Sequence, residues 1–177
     1  MKILFRQPKL KDESQIHEIS EEFYKGYETT KDVLRGWIKD LPKQFIVVEI
    51  NGKIEGCVFW EYLEEIKAIP YFHKSEDYNS PKGKYAYVSE IVIADKFRNR
   101  GLMWLLYGAM EISLKGDCEG IIWLTGAPKL IHKMAHEETE HTILKIGGFK
   151  YIKKAKKWKS APGRFTDSHN IYFKKLH

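Results

Sequence analysis

The stretch that decides the fold is Tyr85–Leu114, YAYVSEIVIADKFRNRGLMWLLYGAMEISL. Ten residues rich in Tyr, Val and Ile open it, a short polar turn follows, and an amphipathic run closes it. That order predicts a strand, a basic loop and a helix. Period-two alternation puts Tyr85, Tyr87, Ser89, Ile91 and Ile93 on one face of the strand, and Ala86, Val88, Glu90, Val92 and Ala94 on the other. Both faces are apolar, as in a central strand covered on both sides. Glu90 is therefore a carboxylate set between Val88 and Val92. Burial there raises a carboxyl's pKa and makes it a competent proton acceptor. The competing reading is a structural Glu, paired with one of the 30 Lys and Arg residues or reaching solvent. The loop FRNRGLM places Arg98, Asn99, Arg100 and Gly101 at the start of the helix that Leu102 and Met103 begin. Free backbone N–H groups point outward there, and the helix dipole favours an anion. Gly101 permits a close approach or a positive φ that a Cβ would hinder.

This stretch resembles the acetyl-CoA-binding motif of the GCN5-related N-acetyltransferase (GNAT) superfamily, whose loop runs Arg/Gln-x-x-Gly-x-Gly/Ala between a strand and a helix. Arg98 and Gly101 match the first two positions, and Met103 stands where a small residue is usual. The resemblance implies acetyl-CoA as cosubstrate, with its pyrophosphate on the backbone N–H groups of Arg98 to Met103 and its pantetheine along the strand at Ile91 and Ile93. It also implies that Glu90, in the string EIVI, is the general base for a primary amine that attacks the thioester directly. A further landmark of the family, Tyr-x-Lys-x-Gly-Phe, is echoed by LKIGGFKYI. Gly148 and Phe149 match and Lys145 lies one residue out of register, so that Leu144 or Ile143 falls where the Tyr belongs. The general acid is left open among His141, Tyr151 and water.

Working outward, Asn51-Gly52 between Phe45–Ile50 and 53–62 predicts a hairpin with a type I′ turn. Gly56 within the second strand predicts a bulge or a close neighbouring backbone. Upstream, Ile3–Phe5 is a short strand. Asp12 and Gln15 have the spacing of a capping box before a helix carrying Ile16, Ile19, Phe23 and Tyr27. Thr29 or Thr30 caps a second helix through Val33, Leu34, Trp37 and Ile38, which ends before Pro42. In the family this helix pair borders the acceptor, although Phe23, Tyr24 and Tyr27 read first as core. Residues 64–84 are long for a hairpin connection. They read as a lid, as a surface packing on a second copy in a homodimer, or as a plain insertion.

Downstream, Leu102, Leu105, Leu106 and Ala109 form the expected core stripe of the helix, widened by Met103, Trp104 and Met110. Gly116 ends it, and Ile121–Thr125 is an apolar strand. A helix is expected over 128–146. His132 and His136 lie four apart, but HKMAH lacks the H-E-x-x-H pattern, so no metal site is assigned. Lys150–Lys159 carries six lysines with Tyr151 and Trp158. A solvated strand face outweighs a nucleic-acid surface here. Ser160–Ser168 is expected as a loop and Asn170–Leu176 as a closing strand.

Composition sets the outer bounds. The 177 residues, 43% hydrophobic and 31% charged, suit one domain spanning 1–177. The N-terminus lacks a signal-peptide core and no apolar run reaches membrane-spanning length, which predicts a cytoplasmic protein without a membrane partner. Cys57 and Cys118 have neither metal-ligand nor redox spacing and read as reduced thiols. The formal charge of +6 suits a polyanionic ligand but does not distinguish acetyl-CoA from nucleic acid. The expected fold is mixed α/β, a central twisted and mostly antiparallel sheet flanked by helices. The expected activity is N-acetyl transfer to a small-molecule or peptide amine. The alternatives are an acetyl-CoA binder without activity, transfer of a longer acyl group, and a basic nucleic-acid-binding module.

Overall fold

A computed structural model of the chain describes residues 1–24, 29–64, 83–125, 144–161 and 164–176. Among these residues seven strands are joined in one sheet: β1 (Ile3–Arg6), β2 (Phe45–Ile50), β3 (Lys53–Leu63), β4 (Tyr85–Ile93), β5 (Gly120–Thr125), β6 (Lys150–Ala161) and β7 (Arg164–Lys175). Their order is β1-β2-β3-β4-β5-β7-β6. The described ladders are antiparallel apart from β4 with β5, which is parallel. Among the described residues three α-helices accompany them: α1 (Glu13–Tyr24), α2 (Lys31–Asp40) and α3 (Leu102–Leu114). This is the mixed α/β architecture that the sequence predicts.

The chain forms two compact units, Met1–Trp60 with Ser89–Leu114 and Glu61–Val88 with Lys115–His177. In the first, β2 and β3 meet at Asn51 and Gly52, whose φ values of 51° and 86° are the two left-handed positions of a type I′ turn. The ladder shifts register between Val48 and Glu49, beside Gly56. A Cβ at Gly56 would lie 2.8 Å from the Val92 carbonyl oxygen and 2.6 Å from Ile93 Cδ1. Both sequence-based expectations for this glycine, an irregular ladder and a close backbone, are met. One face of these strands joins α1 and α2 in a core of Ile16, Ile19, Leu34, Ile38, Phe45, Val47, Ile54, Cys57, Phe59 and Val92. Trp37 of α2 stacks on Phe59 at 3.9 Å between centroids and meets Phe45 edge-on. Such aromatic pairs add about 0.5–1.5 kcal/mol beyond the area they bury. Strand residues of opposite parity, Ile46, Val48, Val58 and Trp60, are buried as well, and α3 packs against β2.

Two expectations in this unit are corrected. Asp12 and Gln15 do not form a capping box. The Asp12 carboxylate accepts the Lys9 backbone N–H and a two-point pairing from Arg6, while Gln15 Oε1 accepts the Ile54 N–H. Leu105 is not core: it is 53% exposed, and the buried side of α3 is Leu102, Leu106, Tyr107, Met110 and Leu114. The stripe is rotated away from the predicted one because α3 has a single charged residue, Glu111, and so offers no polar face to set the phase.

In the second unit β5 is held on both sides. It runs parallel to β4 over Tyr85–Tyr87 with Gly120–Ile122 and antiparallel to β7 over its whole length. Tyr85 meets Phe173 edge-on, and Trp123 meets Phe149. The expected loop at Ser160–Ser168 is overturned. β6 continues to Ala161, which pairs with Arg164, and Ser168 pairs with Lys156 inside the β6–β7 ladder. Ladder pairing overrides the polar composition that suggested a loop. Tyr27, the insertion over 65–82, and 126–143 with the three histidines His132, His136 and His141 lie outside the described residues.

Candidate functional site

β4 carries Glu90 where the alternation put it. Ala86, Val88, Glu90 and Val92 are buried, and Tyr85, Tyr87, Ser89 and Ile91 are half-buried. Glu90 is 5% exposed, and no Lys, Arg or His pairs with it among the described residues. Its Oε2 accepts a 2.5 Å hydrogen bond from the Thr29 hydroxyl, whereas Oε1 has no hydrogen-bond partner among the described residues. Burial in apolar surroundings pushes the carboxyl above its ordinary value. The Thr29 hydroxyl and then Ser20 act the other way. Ser20 does so from outside hydrogen-bonding geometry, since its Oγ likewise has no partner among the described residues. The charge of Glu90 reaches Cys57, whose thiol is pushed well above its ordinary value by burial and, secondarily, by that charge.

Thr29 reaches Glu90 because of how α2 begins. Thr30 is the N-cap, in extended conformation, and its hydroxyl accepts the Val33 N–H. The preceding residue is thereby left just outside the helix, with its own hydroxyl free to turn inward. Sequence reasoning identified the Thr-Thr pair only as alternative caps. Nothing local distinguishes a hydroxyl that faces the helix from one that faces a strand 61 residues away.

The loop after β4 is fixed from several directions. Ala94 N–H donates to the Glu55 carbonyl, and Lys96 pairs with the Glu55 carboxylate at 2.6 Å. The Arg98 guanidinium turns back on the chain: Nε donates to the Ile93 carbonyl at 3.0 Å, a terminal nitrogen meets Asp95 at 2.7 Å, and the group lies over the Phe23 ring. Asn99 and Gly101 then take φ values of 59° and 79°. Asn is among the few non-glycine residues that tolerate this region, and its role here was not anticipated. Nothing lies within 4 Å of the position a Gly101 Cβ would occupy. The N–H groups of Trp104 and Leu105 return to the Gly101 carbonyl. Those of Leu102 and Met103 fall in the first turn, where a helix has no internal acceptor for them.

The predicted residues thus divide by role. Glu90 is buried beside two hydroxyls. Asn99, Arg100 and Gly101 are exposed at the mouth of α3, Leu102 is buried, and Met103 is half-buried. Arg98 shapes the loop through its own side-chain contacts. Because Ala94 turns its N–H to β3, strand alternation turns the backbone groups of Ile91 and Ile93 away from β3, and the Ile93 carbonyl is already taken by Arg98. Leu144, one of the two candidates for the Tyr position, is buried, and Ile143 lies outside the described residues. Among the described residues no group of three or more His, Cys, Asp and Glu side chains is arranged to hold a metal, and no helix is long and apolar enough to cross a membrane. Both cysteines are free thiols.

A family model described as the acetyltransferase (GNAT) family matches residues 13–134. No curated protein matches the sequence. Among solved structures, the chain is similar to the loading GNATL domain of CurA from Lyngbya majuscula, with a TM-score of 0.81 at 13% identity over 99% of this chain and 98% of that one. It is similar to the GphF GNAT-like decarboxylase in complex with isobutyryl-CoA, with a TM-score of 0.79 at 13% identity over 98% and 100% of the two chains. The diaminobutyrate acetyltransferase EctA from Paenibacillus lautus, in complex with diaminobutyrate and coenzyme A, gives a TM-score of 0.66 at 10% identity over 97% and 93%. At these identities the likeness is one of fold.

Proposed function

Because the chain belongs to the acetyltransferase (GNAT) family, we propose that it is an N-acetyltransferase that moves an acetyl group from acetyl-CoA to a primary amine by direct attack, with Glu90 as general base. The observation that carries this reading is the state of Glu90. It is a buried carboxyl of raised pKa, one oxygen held by Thr29 and the other without a partner among the described residues. A group of that kind takes a proton from an ammonium more readily than an exposed carboxylate would.

The residues of the loop fit the cosubstrate. An open backbone at Gly101, the first-turn amides of Leu102 and Met103, and the exposed Arg100 suit a pyrophosphate. Asn99 in the left-handed region helps turn this backbone outward. The strand at Ile91 and Ile93 supplies backbone groups on the side away from β3 for the amide-bearing pantetheine arm. Acetyl-CoA, when bound, supplies the activated thioester. Glu90 removes the acceptor's proton, a backbone N–H of the strand steadies the developing oxyanion, and the departing thiolate leaves as coenzyme A on taking up a proton. The reading treats residues 1–177 as one acetyltransferase domain, supported by the near-complete coverage of the chain in the structural matches. It places the protein in the cytoplasm, where Cys57 and Cys118 stay reduced.

The test is free-thiol release from acetyl-CoA across a panel of amines: small diamines, amino acids, and peptides with a free N-terminus or Lys. Isobutyryl-CoA is run alongside to measure acyl-chain preference. Glu90→Gln is expected to lower turnover by about 10²–10⁴-fold while leaving acetyl-CoA affinity nearly unchanged. Normal turnover by the folded variant at neutral pH would remove Glu90 from the reaction.

A further inference from the structure

The α1–α2 junction, read first as mere helix capping, places a hydroxyl on the carboxylate to which the proposed reaction assigns the proton transfer. We propose that Thr29 is the positioning residue of that base: its hydroxyl pins Oε2 of Glu90 and leaves Oε1 to accept the acceptor's proton. The inference rests on the acetyltransferase reading for its catalytic meaning, but the contact itself does not. The hydrogen bond is 2.5 Å long, within the range of short hydroxyl–carboxylate bonds. Thr30 anchors the backbone next to it as the α2 cap, so the Thr29 side chain is presented from a fixed helix end.

The surroundings of Glu90 make Thr29 decisive. From α1 it is faced by Ser20, from β3 by Cys57, and along β4 by Val88 and Val92. Cys57 is a titratable group that feels the charge of Glu90, and that thiol stays protonated because burial holds its pKa high. With no cation paired to it among the described residues, the carboxylate is stabilised chiefly by the hydrogen bond from Thr29. Removing the Thr29 hydroxyl leaves burial dominant and raises the pH at which Glu90 loses its proton.

The experiment is a carboxyl-carbon NMR titration of the full chain, with the Glu90 signal assigned by its loss in Glu90→Gln. Thr29→Val keeps the shape of the side chain and deletes the donor. It is expected to move the Glu90 midpoint up by roughly one to two pH units, the size of a hydrogen bond to a charged group. Thr29→Ser is expected to return the midpoint toward the wild-type value. Should the Val variant fail to fold, Thr29→Ala makes the same deletion, and Ser20→Ala is expected to shift the midpoint less. The acid limb of kcat/KM for acetyl-CoA with the best amine of the panel is expected to move with the titration. An unchanged midpoint in a folded Thr29 variant overturns the proposal, even if acetyl transfer is found. A shifted midpoint without any acetyl transfer upholds the contact and overturns the acetyltransferase reading instead.

Discussion

At the scale of single residues, the burial on which the proposal for Glu90 rests also makes its charge costly to the fold. Its pKa is raised in the folded protein, chiefly by burial. Between the ordinary carboxyl value and that raised value, the folded state therefore holds a proton that the unfolded state has released. Stability then falls as pH rises through this window and is at its best below it. Glu90→Gln keeps an oxygen to accept the Thr29 hydroxyl but removes the ionisation. The variant is expected to melt higher than wild type at pH 7 and to lose that advantage near pH 4, as read by thermal unfolding at both values. A variant that melts lower at pH 7 would mean that a cation holds the carboxylate in addition to Thr29, and the assignment as base would fail with it. The location of Glu90 was legible because period-two alternation needs only the strand itself. Thr29 was not, because its partner is set by tertiary packing and a hydroxyl before a helix has several equally good local uses.

At the scale of elements, the strand, loop and helix from Tyr85 to Leu114 act as one device, and the loop is its most constrained part. Asn99 and Gly101 bracket Arg100 with left-handed backbone, while Lys96 and Arg98 fasten the approach to it. Gly101→Val puts a β-branched residue at φ 79°, where such a side chain is strained by about 1–3 kcal/mol, and projects it into open space where the proposal seats the pyrophosphate. Acetyl-CoA affinity of the folded variant, measured by calorimetric titration, is expected to fall roughly ten- to hundredfold, as for the loss of one charge-assisted hydrogen bond. Unchanged affinity would take the loop out of the binding site. The loop's place was legible from its flanks, since an apolar strand and a helix of the right lengths leave little choice of where it turns. The face of α3 was not. Leu105 and Ile112 are exposed, at 53% and 78%, although both are as apolar as the buried Leu106 and Leu114. Hydrophobic period is informative only when the other face is polar, and here it is apolar too.

At the scale of the whole molecule, the order of elements was legible because each strand carries its own pattern, and turn residues such as Asn51-Gly52 mark where one ends. Both strands of the C-terminal hairpin were expected, but their reach into 160–168 was not, because ladder pairing there overrides a loop-like composition. β6 closes one edge of the strand order, and its six lysines between 150 and 159 are the composition of an edge strand that resists pairing with other chains. The same composition is shared by polar loops and by nucleic-acid surfaces. The net charge of +6 leaves the partner equally open, so a measurement on the intact protein must decide between acetyl-CoA and polynucleotide. A ligand that binds only the folded state, at about 100 times its Kd, adds roughly 2.7 kcal/mol. For a chain of this size that raises the melting temperature by roughly 5–10 °C. Acetyl-CoA is expected to give such a rise at physiological salt and to keep most of it at twice that salt, because backbone amides and a shaped loop carry much of the contact. A generic single-stranded oligonucleotide is expected to give none at physiological salt. The reverse pattern, an oligonucleotide shift that collapses as salt doubles and no response to acetyl-CoA, would transfer the function from the loop before α3 to the lysine-rich edge strand.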